Sequence, residues 1–261
     1  MSNALPLPPI WRKAITAGWV EFQSGPDTIR GYLAAPRGGG KHPGIIMIHE
    51  NLGITAHRQE MTEKLAERGY VVLTPDLYSR VGGRSPQDFK DAEERRAKAF
   101  IAARDEQAIP DCDAALDVLC ARNDVNPDRL GTVGYCMGGG TMLGWVFGRT
   151  HRLKVAVAYY PNIIVPGRYR VDGQPLSRLG DARKLTCPLQ VNFGALDHAV
   201  PQDEQAALEV ALQGVTHGVE FHSYAEAGHA FQDPSLPSYH ASSAEESWRT
   251  GIAFLDRYLK R

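Results

Sequence analysis

Residues Gly134-Tyr-Cys-Met-Gly138 constrain the fold of this chain more tightly than any other stretch. Before them, Asp128-Arg-Leu-Gly-Thr-Val-Gly134 reads as a polar turn entering a short buried strand; after them, Met137 to Phe147 is small, apolar and compatible with a helix packed on a sheet. Strand, tight glycine-flanked turn and helix together make the setting of a nucleophile elbow, here with cysteine where serine usually stands. Such a turn strains the nucleophile's backbone and needs glycine where another segment passes close. A cysteine at that point lies at a helix N-terminus, where the dipole and free N–H groups favour the thiolate, the attacking form. The pentapeptide alone is equally compatible with a small core cysteine. The rest of the chain has to decide.

With 261 residues the chain suits one large α/β domain. The expected division is a short extension over 1–16 followed by a single domain over 17–261. A formal net charge of −1 gives no reason to expect nucleic acid or an anionic membrane as partner. No apolar run approaches membrane-spanning length, and Met-Ser-Asn-Ala-Leu-Pro-Leu-Pro-Pro lacks the basic start and apolar core of a signal peptide. Cytoplasmic residence is the expectation. Cys112 and Cys120, eight apart around Leu116 and Leu119, fall on one helical face and read as core. Cys187 precedes Pro188 at a strand start, and no CxxC or Cys/His spacing suggests zinc, so neither metal nor cofactor is expected. Oligomeric state has no signature here.

Two alternating segments near Gly18–Phe22 and Ile29–Ala35 flank Ser24-Gly-Pro-Asp27 and predict an antiparallel hairpin. Pro43-Gly-Ile-Ile-Met-Ile-His49 suits a strand buried on both faces, followed by a helix over Arg58–Arg68 that Gly69 closes. Tyr70–Thr74 is a further buried strand. A polar insertion over Ser79–Gln87 leads to a charged helix near Asp88–Ala103 and then to the helix bearing Cys112. Beyond the elbow come a strand at Val155–Tyr160, an irregular excursion from Pro161 to Lys184 and a strand at Leu189–Phe193. A helix over Gln202–Gln213, a strand at Val219–Tyr224 and a helix over Ala244–Leu259 close the chain. Alternating strands and helices imply an α/β fold, a doubly wound and mostly parallel sheet with helices on both faces.

Such sheets carry their functional groups at the carboxyl ends of strands. Four candidates stand there: Glu50, Cys136, Asp197 and His229. The order nucleophile, acid, histidine is that of α/β-hydrolases. His229 can take the proton of Cys136 and return one to a leaving group, while Asp197 fixes the imidazole tautomer and steadies the imidazolium. A lone Asp in a turn is more often a cap, and a lone His beside glycine is more often surface. Coincidence of all three in order and placement favours catalysis. His198, Glu226, His222 and Asp233 are weaker competitors for the same roles.

The chain resembles the dienelactone hydrolase (carboxymethylenebutenolidase) family of the α/β-hydrolase superfamily. The matching pieces are Ile48-His-Glu50 with Gly53, Pro75-Asp-Leu-Tyr78, Val133-Gly-Tyr-Cys-Met-Gly-Gly139, Asp197-His-Ala-Val-Pro201 and Ala227-Gly-His-Ala-Phe231. The resemblance implies cofactor-free hydrolysis of a small ester or lactone through an acyl-cysteine. It also gives Glu50 a role, a carboxylate that contacts the resting thiol and helps generate the thiolate when substrate binds. An ordinary strand-end acid paired with an arginine is the other reading of Glu50. The oxyanion hole is expected from the backbone N–H groups of Met137 and Asn51. Family members hold a substrate carboxylate with arginines, one of them shortly after the catalytic histidine. Here Phe231-Gln-Asp233-Pro offers an acid instead, leaving Arg80, Arg84, Arg95 and Arg96 as the cations that could serve. In the charged helix, Arg95 and Arg96 also suit a solvated face. A general carboxylesterase or thioesterase, or a non-catalytic ligand-binding homologue, are the competing readings.

Overall fold

A computed structural model of the chain describes residues 14–83 and 92–260. The first strands, β1 (Ile15–Ser24) and β2 (Asp27–Pro36), form the expected hairpin, with Ser24 opposite Asp27. Then follow β3 (His42–Ile48), α1 (Ala56–Glu67), β4 (Val71–Pro75), α2 (Ala92–Ala102), α3 (Asp105–Cys120), β5 (Val125–Tyr135) and α4 (Cys136–Val146). The second half holds β6 (Val155–Tyr159), a two-residue pair β7 (Ile164–Val165) and β8 (Leu176–Ser177), β9 (Leu189–Gly194), α5 (Gln202–Ala211), β10 (Val219–Tyr224) and α6 (Ala241–Leu259).

Eight strands make one sheet in the order β1-β2-β4-β3-β5-β6-β9-β10. From β4 to β10 all neighbours are parallel; β2 runs antiparallel to both β1 and β4. Strands β4, β6 and β9 are buried along their whole length, as continuous apolar runs such as Val155-Ala-Val-Ala-Tyr159 require when helices cover both faces. On one face α3 and α4 are joined by a Trp145 to Asp113 hydrogen bond (3.0 Å). On the other, α6 meets the end of α1, where the Tyr70 hydroxyl bonds Asp256 and Lys260 caps the Arg68 carbonyl at 2.7 Å. Among the described residues no helix is long and apolar enough to cross a membrane.

Several boundaries differ from the periodicity reading. Thr55 accepts the Arg58 N–H at 3.2 Å and so starts α1 two residues early, because a threonine cap fixes a helix start that hydrophobic spacing does not mark. The excursion after β6 is not wholly irregular: β7 and β8 pair antiparallel, Ile164 opposite Ser177. Cys112 is fully buried, but Cys120, last in α3, is half-exposed beside Arg152.

Candidate active site

The chain turns at Cys136 from β5 directly into α4, and pays with a φ of 50°, the left-handed region. For a residue with a Cβ this costs about 1–2 kcal/mol. The elbow survives because glycine lets the segments close up. A Cβ on Gly138 would lie 2.3 Å from the His49 carbonyl oxygen, and one on Gly134 would lie 2.7 Å from that of Gly138. No other residue fits at either place, which explains the glycine pattern that marks the elbow in the sequence.

Three of the predicted side chains meet there. His229 Nε2 lies 3.0 Å from Cys136 Sγ, and His229 Nδ1 lies 2.8 Å from Asp197 Oδ2. Asp197 is fully shielded, and its second oxygen accepts the N–H groups of Ala199 (2.8 Å) and Val200 (3.0 Å). The turn after β9 therefore orients the carboxylate, and the carboxylate orients the imidazole. Nδ1 must carry the proton to meet a carboxylate, leaving Nε2 for the sulfur. Burial works against a charged imidazole, but the contacts with Cys136 and the Asp197 carboxylate outweigh it and raise the His229 pKa to about 10.

Glu50 has a different partner. Its Oε2 accepts from Arg58 Nε at 2.9 Å and Nη2 at 2.6 Å, while Oε1 is buried with no hydrogen-bond partner among the described residues. Arg58 is buried, and its guanidinium lies 3.5 Å from the centre of the Tyr135 ring, one residue before the nucleophile. Of the two readings the sequence left open for Glu50, the arginine pair is the contact present. Nothing in the spacing of α1 marks Arg58 as buried.

The residues expected to form the oxyanion hole are tied together by Tyr78. Its hydroxyl donates to the Asn51 carbonyl at 3.0 Å and sits 3.8 Å from Met137 Sδ. His49 firms up the same strand end: Nδ1–H donates to the Glu50 carbonyl (2.6 Å) and Nε2 accepts the Leu77 N–H (3.0 Å). The candidate cations sit elsewhere. Arg80 grips Asp111 through both terminal nitrogens (2.6 and 2.9 Å) and Asp27 through Nε (2.6 Å), so two carboxylates already match its charge. Arg84 and the side chains of Arg95 and Arg96 lie outside the described residues. Asp233 is buried and closes its own turn, accepting the N–H (2.9 Å) and hydroxyl (2.7 Å) of Ser235. Among the competitors, His198 is exposed, and Glu226 pairs loosely with His240. His222 lies on the edge strand β10 beside Glu220.

Sequence reasoning missed Asn162, whose Oδ1 lies 3.4 Å from Cys136 Sγ, in reach of the thiol proton. It follows Tyr160 and Pro161 at the carboxyl end of β6, so the strand-end rule that found the other groups would have found it too. Among the described residues no cluster of His, Cys, Asp and Glu is arranged to hold a metal ion.

The model of the dienelactone hydrolase family matches residues 29–259. The chain belongs to this family. It is 31% identical over 247 residues to a provisionally named carboxymethylenebutenolidase of Escherichia coli O157:H7, covering 94% of this chain and 88% of that protein. It is 27% identical to a provisionally named 2-oxo-3-(5-oxofuran-2-ylidene)propanoate lactonase of a Bradyrhizobium species, across 95% of this chain and 96% of that one. Among solved structures, a provisionally named dienelactone hydrolase from Klebsiella pneumoniae superposes with a TM-score of 0.83 at 28% identity, covering 94% of this chain and all of that one. The fold is thus that of the α/β-hydrolases. Membership in the dienelactone hydrolase family makes this chain a hydrolase of ester or lactone bonds.

Proposed function

We propose that the chain hydrolyses a small ester or lactone through an acyl-cysteine intermediate on Cys136. The observation that carries this is the hydrogen-bonded series Cys136, His229, Asp197, with its spacings of 3.0 and 2.8 Å at three strand ends. The thiolate attacks the carbonyl carbon, and the backbone N–H groups of Met137 and Asn51 receive the oxyanion. Collapse breaks the C–O bond, and the leaving alkoxide or enolate takes the proton from His229. In the second half His229 removes a proton from water, the hydroxide adds to the thioester, and the C–S bond breaks to return the thiolate. Asp197 keeps the imidazole in the tautomer both halves need.

Glu50 is assigned a role at one remove from the sulfur: through Arg58 it supports the ring of Tyr135, and so the entry to the elbow. The charge matching of Arg80 and the inward-turned Asp233 favour an ester or lactone without a carboxylate clamp over a substrate that depends on one. The lactonase relative supports lactones within that range. Hydrolysis of a dienelactone beside a p-nitrophenyl ester, with Cys136→Ala as control, tests the reading. Turnover of the uncharged ester at the higher kcat/KM, lost in Cys136→Ala, is the expected result. Turnover that persists in Cys136→Ala removes the acyl-cysteine, and a strong preference for the dienelactone removes the substrate assignment.

A further inference from the structure

Asn162 is held on three sides before its side chain is considered. Its N–H donates to the carbonyl of Cys136 at 3.0 Å. Its carbonyl accepts from Arg178 Nη1 at 3.3 Å, and Arg178 is in turn anchored by Asp105 Oδ1 at 2.8 Å, a pair with side chains only 5% and 6% exposed. Gly140 in α4 makes room for that carbonyl, since a Cβ there would come within 2.3 Å of it. Upstream, Tyr160 takes a φ of 40° and donates its N–H to the Asn192 carbonyl at 2.7 Å. A strained bend, a buried ion pair and a glycine all set one residue against the nucleophile. The atom of its side chain that faces Sγ, at 3.4 Å, is the amide oxygen Oδ1, placed to accept from a thiol.

Counting protons decides which end of that amide the sulfur needs. With its Nδ1 proton committed to Asp197, His229 faces Sγ either with a lone pair, accepting the thiol proton, or with an N–H, donating to the thiolate. In the first case the only S–H is already given to His229. In the second there is none. Sulfur therefore has nothing to donate to Asn162 in either productive state, and can only accept. A half-turn of the amide, which the two backbone hydrogen bonds leave free, exchanges Oδ1 for Nδ2 and brings a donor to the sulfur.

We infer that Asn162 is a catalytic residue whose Nδ2–H donates to the Cys136 sulfur, stabilising the thiolate beside His229 and again when the C–S bond of the thioester breaks. This rests on Cys136 being the nucleophile. A hydrogen bond to a charged acceptor is strong enough to change thiolate reactivity by about tenfold or more. The other charges near the sulfur are His229 with Asp197 behind it, and the Glu50–Arg58 and Arg178–Asp105 pairs on neighbouring elements. Substitution at 162 leaves all of them in place.

The test is the rate of Cys136 alkylation by iodoacetamide, a neutral probe, followed against pH in the wild type, Asn162→Ala, Asn162→Asp and Asn162→Gln. Asn162→Ala should alkylate about tenfold more slowly at neutral pH, with its midpoint moved to higher pH by about one unit. Asn162→Asp has the same shape but sets a carboxylate against the thiolate, so its midpoint should move further than that of Asn162→Ala. Asn162→Gln keeps the amide and should recover part of the loss. A merely structural residue would show no such ordering. Alkylation within twofold of wild type and an unmoved midpoint in both Asn162→Ala and Asn162→Asp would overturn the inference, even if turnover fell. Retained turnover in Cys136→Ala would instead sink the acyl-cysteine mechanism, and the alkylation series would still decide whether Asn162 donates to the sulfur.

Discussion

Replacing Glu50 by glutamine should destabilise the protein far more than a typical strand-end substitution. Glu50 and Arg58 form an ion pair with side chains 7% and 1% exposed, and Arg58 has two N–H groups committed to Glu50 Oε2. Burial alone would drive the guanidinium toward neutrality; the Glu50 charge outweighs it and holds the proton more firmly than usual. Without that carboxylate the positive charge has no counter-charge: it keeps a neutral amide oxygen as acceptor, the Tyr135 ring at 3.5 Å and a long contact of 4.0 Å to Met47 Sδ. The ring contact is present before and after substitution, so it offsets none of the loss. Removing one partner of a buried pair costs about 3–5 kcal/mol. With m near 3 kcal/mol per molar urea, the unfolding midpoint of Glu50→Gln should fall by roughly 1–1.7 M. Arg58→Met should lose a similar amount by stranding the carboxylate. The double variant Glu50→Gln/Arg58→Met strands neither charge and should lose much less than the two single variants together, giving a coupling of at least about 2 kcal/mol. Single variants within about 1 kcal/mol of wild type, with an additive double variant, would refute the claim that the pair is a desolvated, mutually dependent unit.

Other outcomes follow from the same geometry. Cys136→Ala should abolish turnover with its Tm nearly unchanged, because alanine and cysteine resist a φ of 50° equally; Cys136→Gly should be the more stable of the two by about 1 kcal/mol in urea unfolding. Gly138→Ala should cost about 3 kcal/mol or more, or fail to accumulate as soluble protein, since its Cβ meets the His49 carbonyl at 2.3 Å; normal thermal stability would contradict the packing described. His229, raised from 6.5 to about 10, binds its proton more tightly folded than unfolded. Its contribution to stability is complete below about pH 6.5 and lost as pH rises toward 10, so the gap between wild type and His229→Gln in urea unfolding should shrink over that window. A gap that widens with pH would reverse the sign of the argument.

The parts of the site that the sequence made legible share one property: their position follows from chain order. Once strands and helices alternate, the topology sends every strand's carboxyl end to one edge, and Cys136, Asp197 and His229 stand there because β5, β9 and β10 end there. The glycines of the elbow are legible for a similar reason, as a close approach between β3 and α4 leaves a residue type behind it. The same logic reaches Asn162 at the end of β6, although a tyrosine at positive φ and a proline intervene and disguise the strand end as the start of a loop.

Arg58 and Arg178 were illegible because their placement depends on through-space pairing. An arginine at the third residue of a helix otherwise rich in Gln, Glu and Lys has the signature of a solvated face, yet Arg58 is buried because Glu50 comes to it from the end of β3. Arg178 likewise lies in an excursion with no helical or strand period, and is buried by Asp105 from the start of α3. Neither charge could be placed inside without its partner, and each partner stands on a different element, 8 residues away for Arg58 and 73 for Arg178. The two pairs then do related work around the nucleophile. Glu50–Arg58 supports Tyr135, the residue before Cys136, while Asp105–Arg178 supports Asn162, the residue against its sulfur. Hydrophobic substitutes of similar volume could stabilise such positions as well. What an apolar replacement could not do is hold a ring by its charge and a carbonyl by a directed N–H, and that demand is the physical reason for a buried arginine at each place.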